Sequence, residues 1–264
     1  MTPIIEKLYR YPVKGLSPEP LHSVKVEINC CLPHDRRFAL ARSDSTFDPA
    51  QPTHVPKSNF FMLMRDERLA ELSTRYFASS GRFMITREDQ SLVDANLLTP
   101  EGRAEVERFF AEFLGDTPGA PPRLVEAPGH TFSDARRRPN AKTGQYLSIV
   151  NLGSITDLSM RTGFDLDPLR FRANIYVSGL HAWDELAWVD DHLILGETLV
   201  HVVSPITRCA ATAVNPVTAR RDVDVPQELM KHYGHNHMGV YVEVLRGGQI
   251  AVGDTIEAIT PSGV

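Results

Sequence analysis

The sequence predicts a mainly β protein with peripheral helices, an α+β chain built in two parts. Three observations lead there. The C-terminal half is dense with short apolar runs and turns at about ten-residue spacing, the pattern of a β-barrel or sandwich. The 264 residues include 19 prolines and 17 glycines, which imply many turns. Residues 116–122, D-T-P-G-A-P-P, form the best linker and divide the chain into segments 1–122 and 123–264. That length accommodates one large or two ordinary domains.

The elements follow in order. Residues 4–13 alternate as a first strand, ending at Pro12 and the turn Y-P-V-K-G. Residues 22–28 place Val24, Val26 and Ile28 on one face of a second strand. Residues 35–41 form a third, opening on Arg36 and Arg37. The polar, proline-rich stretch 43–58 is a surface loop. Residues 60–64 read as a short strand. Residues 66–77 carry Leu69, Leu72 and Tyr76 at helical spacing, with an irregular segment as the alternative. A strand follows at 82–86. Thr99-Pro100-Glu101 opens a helix that runs to Leu114, buries Val106, Phe109, Phe110 and Phe113, and stops at Gly115. After the linker come strands at 124–126 and 146–150, then a helix capped by Asn151 and ended by Gly163. Residues 169–179 bring two arginines into an apolar strand. Residues 183–188 are amphipathic and mixed. A hairpin turns at Gly196-Glu197. A helix at 225–233, a strand at 239–245 and a last hairpin through 246–249 complete the chain.

Composition excludes several classes. At 42% hydrophobic and 23% charged residues the chain suits a soluble globular protein. A formal charge of −5 argues against bulk nucleic-acid binding. Three cysteines, two of them the adjacent Cys30 and Cys31, give no disulfide framework and suit a reducing compartment. No run reaches the roughly 18–20 apolar residues of a membrane helix, and the N-terminus lacks a secretory core. The expected location is the cytoplasm, as a monomer.

The candidate chemistry centres on V-S-P-I-T-R-C-A-A-T, residues 203–212. Cys209 follows Arg208 at a strand break, where a fixed cation favours the thiolate that attacks or ligates metal. A small buried hydrophobe is the plainer reading of such a cysteine. Lys14 sits at a strand-to-turn transition beside Gly15, where it could meet an anion or simply face solvent. Arg36 suits phosphate or carboxylate, or an edge-strand charge. The run R-R-R-P-N-A-K, residues 136–142, is a solvated surface or an anion-binding loop. His232, His235 and His237 have a spacing that could ligate zinc, or they form a polar loop.

Six segments occur together and in order: Y-P-V-K-G, D-R-R-F, F-R-A-N-I-Y-V-S-G, W-D-E-L, T-R-C-A-A-T-A-V-N-P and G-G-Q-I-A-V-G-D. With them the chain resembles the MOSC family over about residues 4–260. Within that family it resembles the amidoxime-reducing components and the bacterial relatives that detoxify N-hydroxylated bases. The resemblance implies an N-terminal β-barrel-like domain over 1–122 and a C-terminal MOSC β-barrel over 123–264. It implies a molybdenum–molybdopterin cofactor with Cys209 as metal ligand and catalytic centre. Lys14, Gly15, Arg36, Arg172, Asn174, Thr207, Arg208 and Tyr241 fall in cofactor-binding positions, and Thr143, Gly144 and Gln145 do so by a looser correspondence. The family's proline in F-R-P-N is Ala173 here, and glycine follows Lys14 where some relatives have serine.

The implied function is an oxidoreductase that reduces N-hydroxylated small molecules with electrons from an external ferredoxin- or cytochrome-type protein and its reductase. The alternative is a non-catalytic carrier of the cofactor or of persulfide sulfur. A cofactor-free β-barrel binding module is a third reading. With no four-cysteine cluster, an intrinsic iron–sulfur centre is not expected, nor is pyridoxal phosphate, a nucleic acid or a membrane partner. His237 and Asp184 are the candidate general acids for the departing oxygen.

Overall fold

The computed structural model describes residues 2–115, 122–135 and 145–259. In chain order the elements are β1 (Ile4–Arg10), β2 (Glu19–Leu21), β3 (Ser23–Val26), β4 (Phe38–Ala41), β5 (Ser73–Phe77), β6 (Arg82–Arg87), β7 (Gln90–Asn96) and α1 (Pro100–Leu114). There follow β8 (Arg123–Glu126), β9 (Leu147–Asn151), α2 (Leu152–Thr162), β10 (Ile175–Ser178), β11 (His192–Leu195) and β12 (Thr198–Thr207). Last come α3 (Val225–Tyr233), β13 (His237–Arg246), β14 (Gly248–Ala251) and β15 (Ile256–Ile259). The expected mainly β architecture with peripheral helices is the architecture observed. Among the described residues no helix is long and apolar enough to cross a membrane.

One eight-stranded sheet dominates, in the order β15-β11-β12-β13-β9-β10-β1-β2. It curls back on itself. The Ile5 amide donates to the Asp254 carbonyl at 2.8 Å, Gly253 donates to Ile5 at 2.8 Å and Ile256 donates to Pro3 at 2.9 Å, so β1 meets the lead into β15. Alternate side chains from the strands fill the interior: Ile5 and Leu8, Leu147 and Ile149, Ile175 and Val177, Val200 and Val202, Val240 and Val242. A period-2 apolar pattern produces this packing because successive side chains point to opposite faces of a strand.

A second core lies under β4–β8 and the meander β5-β6-β7, with α1 laid across it. Phe38, Phe83, Val106 and Phe110 are its centre. Thr99 caps α1 as expected, its Oγ1 accepting from the Gly102 amide at 3.1 Å. Asn151 caps α2 in the same way, accepting from Gly153 at 2.9 Å. The division expected at residue 122 remains a proposal about how the chain is built. The sheets themselves cross that point: β1 pairs with β10, and β3 pairs with β14.

Several sequence expectations are corrected. Residues 66–77 are a 3-10 turn (Glu67–Glu71) followed by β5, because Thr74 and Tyr76 pair with Ile85 and Phe83 and that pairing overrides the helical spacing. Residues 60–64 make only a single bridge, Ala41 to Phe60. Ile28 leaves the second strand's face and is 57% exposed, since Asn29 turns the chain with φ 59°. Residues 248–259 are not a hairpin, because β14 pairs with β3 and β15 with β11. The linker at 116–121 and the basic run at 136–142 lie outside the described residues.

Gly102 supplies a direct test of this packing. A Cβ built there would sit 2.1 Å from the Asn96 carbonyl oxygen and 2.7 Å from its carbon. Helix propensity alone favours Gly102→Ala by about 1 kcal/mol. The contact opposes it, so Gly102→Ala is expected to destabilise the protein by about 1–3 kcal/mol in a urea unfolding titration.

Candidate functional site

The site is built around a phenol ring. Tyr11, fully buried just past β1, has two guanidinium groups packed over its ring. The Arg36 Cζ is 4.6 Å from the ring centroid and the Arg172 Cζ is 4.4 Å from it. Each such contact is worth about 0.5–2 kcal/mol, more when desolvated. Both arginines sit in the left-handed backbone region, at φ 47° and 51°. Local bonds fix these turns. The Arg36 amide donates to the Tyr11 carbonyl at 2.7 Å, and Asp35 Oδ1 accepts from the Tyr11 amide at 2.8 Å. Arg172 ends the 3-10 turn Pro168–Phe171, which Asp167 caps through the Leu169 amide. Burial pushes the Tyr11 hydroxyl up to about 12, so the ring stays a neutral platform.

The two arginines differ in their partners. Arg36 donates to Asp35 Oδ2 at 2.5 Å and to the Arg172 carbonyl at 2.9 Å. The Arg172 guanidinium makes no hydrogen bond or ion pair among the described residues; the Tyr11 ring is its neighbour. Burial pulls it down to about 10. It is half-buried and faces a cavity of about 290 Å³.

That cavity gathers most of the residues singled out in the sequence: Lys14, Gly15, Arg36, Arg172, Asn174, Thr207, Arg208, Cys209 and Tyr241. They arrive from the turn after β1, from before β4, from before β10, from the end of β12 and from β13. Cys209 is half-buried, its carbonyl accepting from the Thr212 amide at 3.0 Å and hydroxyl at 2.8 Å as the chain enters the 3-10 turn Ala210–Ala213. Gly15 has φ 81°, and a Cβ there would lie 3.2 Å from Leu69 Cδ1, which explains glycine at this position. Tyr241 stands beside Tyr146, with ring centroids 5.9 Å apart.

Several expected roles change. Arg208 lines the cavity with Cys209 but directs its hydrogen bonds to the scaffold. It is 7% exposed, donating through Nε and Nη2 to the Met238 carbonyl at 2.9 and 2.6 Å, and through Nη1 to Phe171 at 2.8 Å. Its rigid fork ties three segments together beneath the cysteine. Asn174 is likewise engaged in the scaffold, accepting from the Ser148 hydroxyl at 2.9 Å and donating to Tyr9 at 3.2 Å. Gln145 lies off the cavity, bonding the Cys31 amide at 3.2 Å and the Gly129 carbonyl at 3.1 Å. Thr143 and Gly144 lie outside the described residues. Neither Asp184 nor His237 lines the cavity: Asp184 accepts from the His181 amide at 3.2 Å, and His237 Nδ1 is 3.3 Å from Thr207 Oγ1. His235 and His237 stack at 5.6 Å while His232 faces Glu228, and no three potential ligands converge on a metal position among the described residues.

Sequence reasoning missed Asp134, Lys57 and Ser133. All three line the cavity, and Asp134 bridges to Lys14. Ser133 and Asp134 stand in F-S-D shortly before the basic run and Lys57 in the proline-rich loop 43–58, neither with a period or a motif spacing.

With this geometry in view, comparison with known proteins places the chain. Residues 129–257 match the MOSC domain, so the chain carries a MOSC domain over that segment. It is similar to mitochondrial amidoxime reducing component 2 of Rattus norvegicus, 30% identical over 122 residues that cover 42% of this chain and 36% of the relative. The human form of that protein matches at the same identity and coverage. Molybdenum cofactor sulfurase of Drosophila ananassae is 26% identical over 65% of this chain and 24% of its own length. The chain thus spans about a third or less of the curated relatives it matches. Among solved structures, the YUAD protein of Bacillus subtilis aligns over 98% of this chain and 96% of its own, at 13% identity and a TM-score of 0.43.

Two measurements test the scaffold. Asp35 is 4% exposed, and its removal leaves Arg36 beside Tyr11 without a counter-ion. Asp35→Ala is expected to lose about 3 kcal/mol or more in chemical unfolding. Under the Cys209 turn, the buried Arg170 donates to Asp222 Oδ2 at 2.6 Å. Burial raises the Asp222 carboxyl, but hydrogen bonds from Arg170 and Asn215 outweigh it and hold the group below its ordinary 3.8. Stability from this pair is present above that value and is lost as pH falls below it. An acid-unfolding series is therefore expected to show a shallower loss below about pH 4 in Asp222→Asn than in wild type.

Proposed function

We propose that the protein is a molybdenum-cofactor-dependent oxidoreductase that reduces N-hydroxylated small molecules. The MOSC domain and the names of its relatives, amidoxime-reducing components and cofactor sulfurases, support a molybdenum-cofactor-related function. One observation carries the reading furthest: the half-buried thiol of Cys209 lines the same cavity as Arg172, a cation without an ion-pair partner among the described residues.

The residues fit such a cofactor. A pterin dithiolene with a phosphate needs one soft protein ligand, fixed cations and several hydroxyl donors. Cys209 is the soft ligand. Arg172, Arg36 and Lys14 are the cations, with Lys57 beside them. Thr207, Ser133 and Tyr241, residues that carry hydroxyls, line the same walls. When bound, molybdenum supplies the two-electron redox chemistry.

The chain's own residues hold and orient. Arg172 and Arg36, fixed on Tyr11, offer positive charge without reorganisation at the moment of binding. Arg208 fixes the backbone from which the Cys209 side chain projects. Electrons come from an external ferredoxin- or cytochrome-type partner with its reductase, and the protein acts in the cytoplasm. The carrier reading, in which Cys209 holds the cofactor or a persulfide for delivery, uses the same pocket and is separated from the enzyme by turnover.

Expression in a host that makes molybdopterin provides the test. Elemental analysis is expected to give near-stoichiometric molybdenum in wild type and a clear loss in Cys209→Ala. Reduction of benzamidoxime with a supplied electron donor should then be absent from the variant. Metal without turnover moves the assignment to the carrier. No metal in wild type, under conditions that load a control molybdoenzyme, sinks both readings.

A further inference from the structure

Asp134 stands out because its carboxylate is held only by cations. Oδ1 accepts from the Lys14 ammonium, and Oδ2 lies 3.9 Å from Lys57 Nζ. No backbone amide among the described residues donates to it, unlike Asp35, whose Oδ1 takes the Tyr11 amide. The pair is also lopsided. The Lys14 side chain is 8% exposed and that of Asp134 is 43% exposed. The buried cation is a fixed part of the wall; its second hydrogen bond goes to the Phe132 carbonyl at 3.0 Å. Its carboxylate partner reaches it from the solvent side, on an irregular stretch between β8 and β9.

Asp134 also stands on a partition. A second cavity of about 160 Å³, lined by His54, Val55, Lys57, Phe60 and His130, shares Lys14, Lys57, Phe132, Ser133 and Asp134 with the first. A carboxylate released from Lys14 has room to turn that way, toward two imidazoles. Turning would free Lys14 and Lys57 for whatever enters the larger cavity, whose walls already carry Arg36 and Arg172.

We propose that Asp134 is a built-in stand-in for a ligand anion, occupying the Lys14–Lys57 position and displaced when a phosphate-like dianion binds. This rests on the function proposed above only for the identity of that dianion, the cofactor's phosphate. The site then discriminates by charge. A dianion exchanges one negative charge on the two lysines for two and repays the broken pair. A monoanion such as acetate restores only what Asp134 already gives, and gains nothing. The carboxylate also protects Lys14 before the ligand arrives, since an unpaired buried ammonium is unfavourable.

Calorimetry of the cofactor-free protein with sulfate, and with acetate as control, tests this. Asp134→Asn keeps the shape and removes the competing charge. It is expected to bind sulfate about 10-fold more tightly than wild type, or about 1.4 kcal/mol, while acetate stays weak in both. Asp134→Ser gives the same readout should the amide pack differently, and adding Lys14→Met to either should erase the gain. Sulfate affinity unchanged or lowered in both Asp134 variants, at unaltered thermal unfolding, overturns the proposal. So does a gain that survives Lys14→Met, or no sulfate binding by any variant. Protein loaded with cofactor should no longer take sulfate; if it still does, the dianion is a free oxyanion and Asp134 remains the displaced group. The molybdenum content of Cys209→Ala is independent of every arm, so the two readings fail separately.

Discussion

The structure depends on one cluster: a buried phenol with two guanidinium groups packed over its ring. Two like charges held against one ring repel each other, so the arrangement needs compensation from elsewhere. Asp35 compensates Arg36 by a direct ion pair. Arg172 has only the ring and the backbone turn that carries it. One positive charge is therefore left facing the cavity, and the protein is organised to tolerate it. The Tyr11 hydroxyl donates to the Ala173 carbonyl at 3.2 Å, which ties the platform to the strand that delivers Arg172. A cation fixed this way favours an anionic guest before any guest arrives, because the energy of gathering charge was met during folding.

The placement of the site follows from the curled sheet. β12 and β13 run ten residues each, longer than any other strand, and their register slips between Pro205 and Thr207. The slip releases the chain at Arg208 and Cys209, beyond the ladder but still anchored by the Arg208 fork. The N-terminal strand β1 belongs to this same sheet and ends at Arg10, one residue before Tyr11. Lys14 and Arg36 are then carried to the mouth by bonds between the Lys14 amide and Phe38, and between Phe38 and Pro12. The cysteine side of the cavity is thus rooted in the barrel interior, and the Lys14 side joins it to the second core.

How much of this was legible in the sequence depends on the range of the interaction. All three helices were read from local signals, because Thr99, Asn151 and the Pro226 turn act within a few residues. The hairpin at Gly196-Glu197 was equally plain. Pairings between distant segments were not: β14 joins β3 rather than folding back on β13, and no local pattern states that. Tyr76 shows the same limit, since its spacing from Leu72 suits a helix until β6 lies alongside. For the site, Lys14, Arg36, Arg172 and Cys209 could be grouped only through a resemblance spanning the chain, since each alone is an ordinary residue at a strand end. The positive backbone angles of Arg36 and Arg172, the phenol they share and the diversion of Arg208 to two carbonyls belong to the fold alone.

Asp134 shows why charge must be counted in the assembled cavity rather than along the chain. In sequence it is one acid before a run of arginines, where it reads as surface. In the structure it is the carboxylate that answers Lys14, and both of its oxygens face lysines. Burial would by itself raise this carboxyl, and Lys14 is the first of the cations that hold it below its ordinary value instead. Lys14 meets the opposite balance: burial pulls its ammonium down, and Asp134 works against that pull. The carboxylate keeps the buried ammonium charged in a place it would not enter alone, while its own outer position is open to solvent. A pair of that kind is stable only while nothing better arrives, and its outer member is the one free to leave. The preference for an anion in this cavity is thus set by two opposed features: Arg172, a cation with no ion-pair partner among the described residues, and Lys14, a cation whose counter-ion can be exchanged.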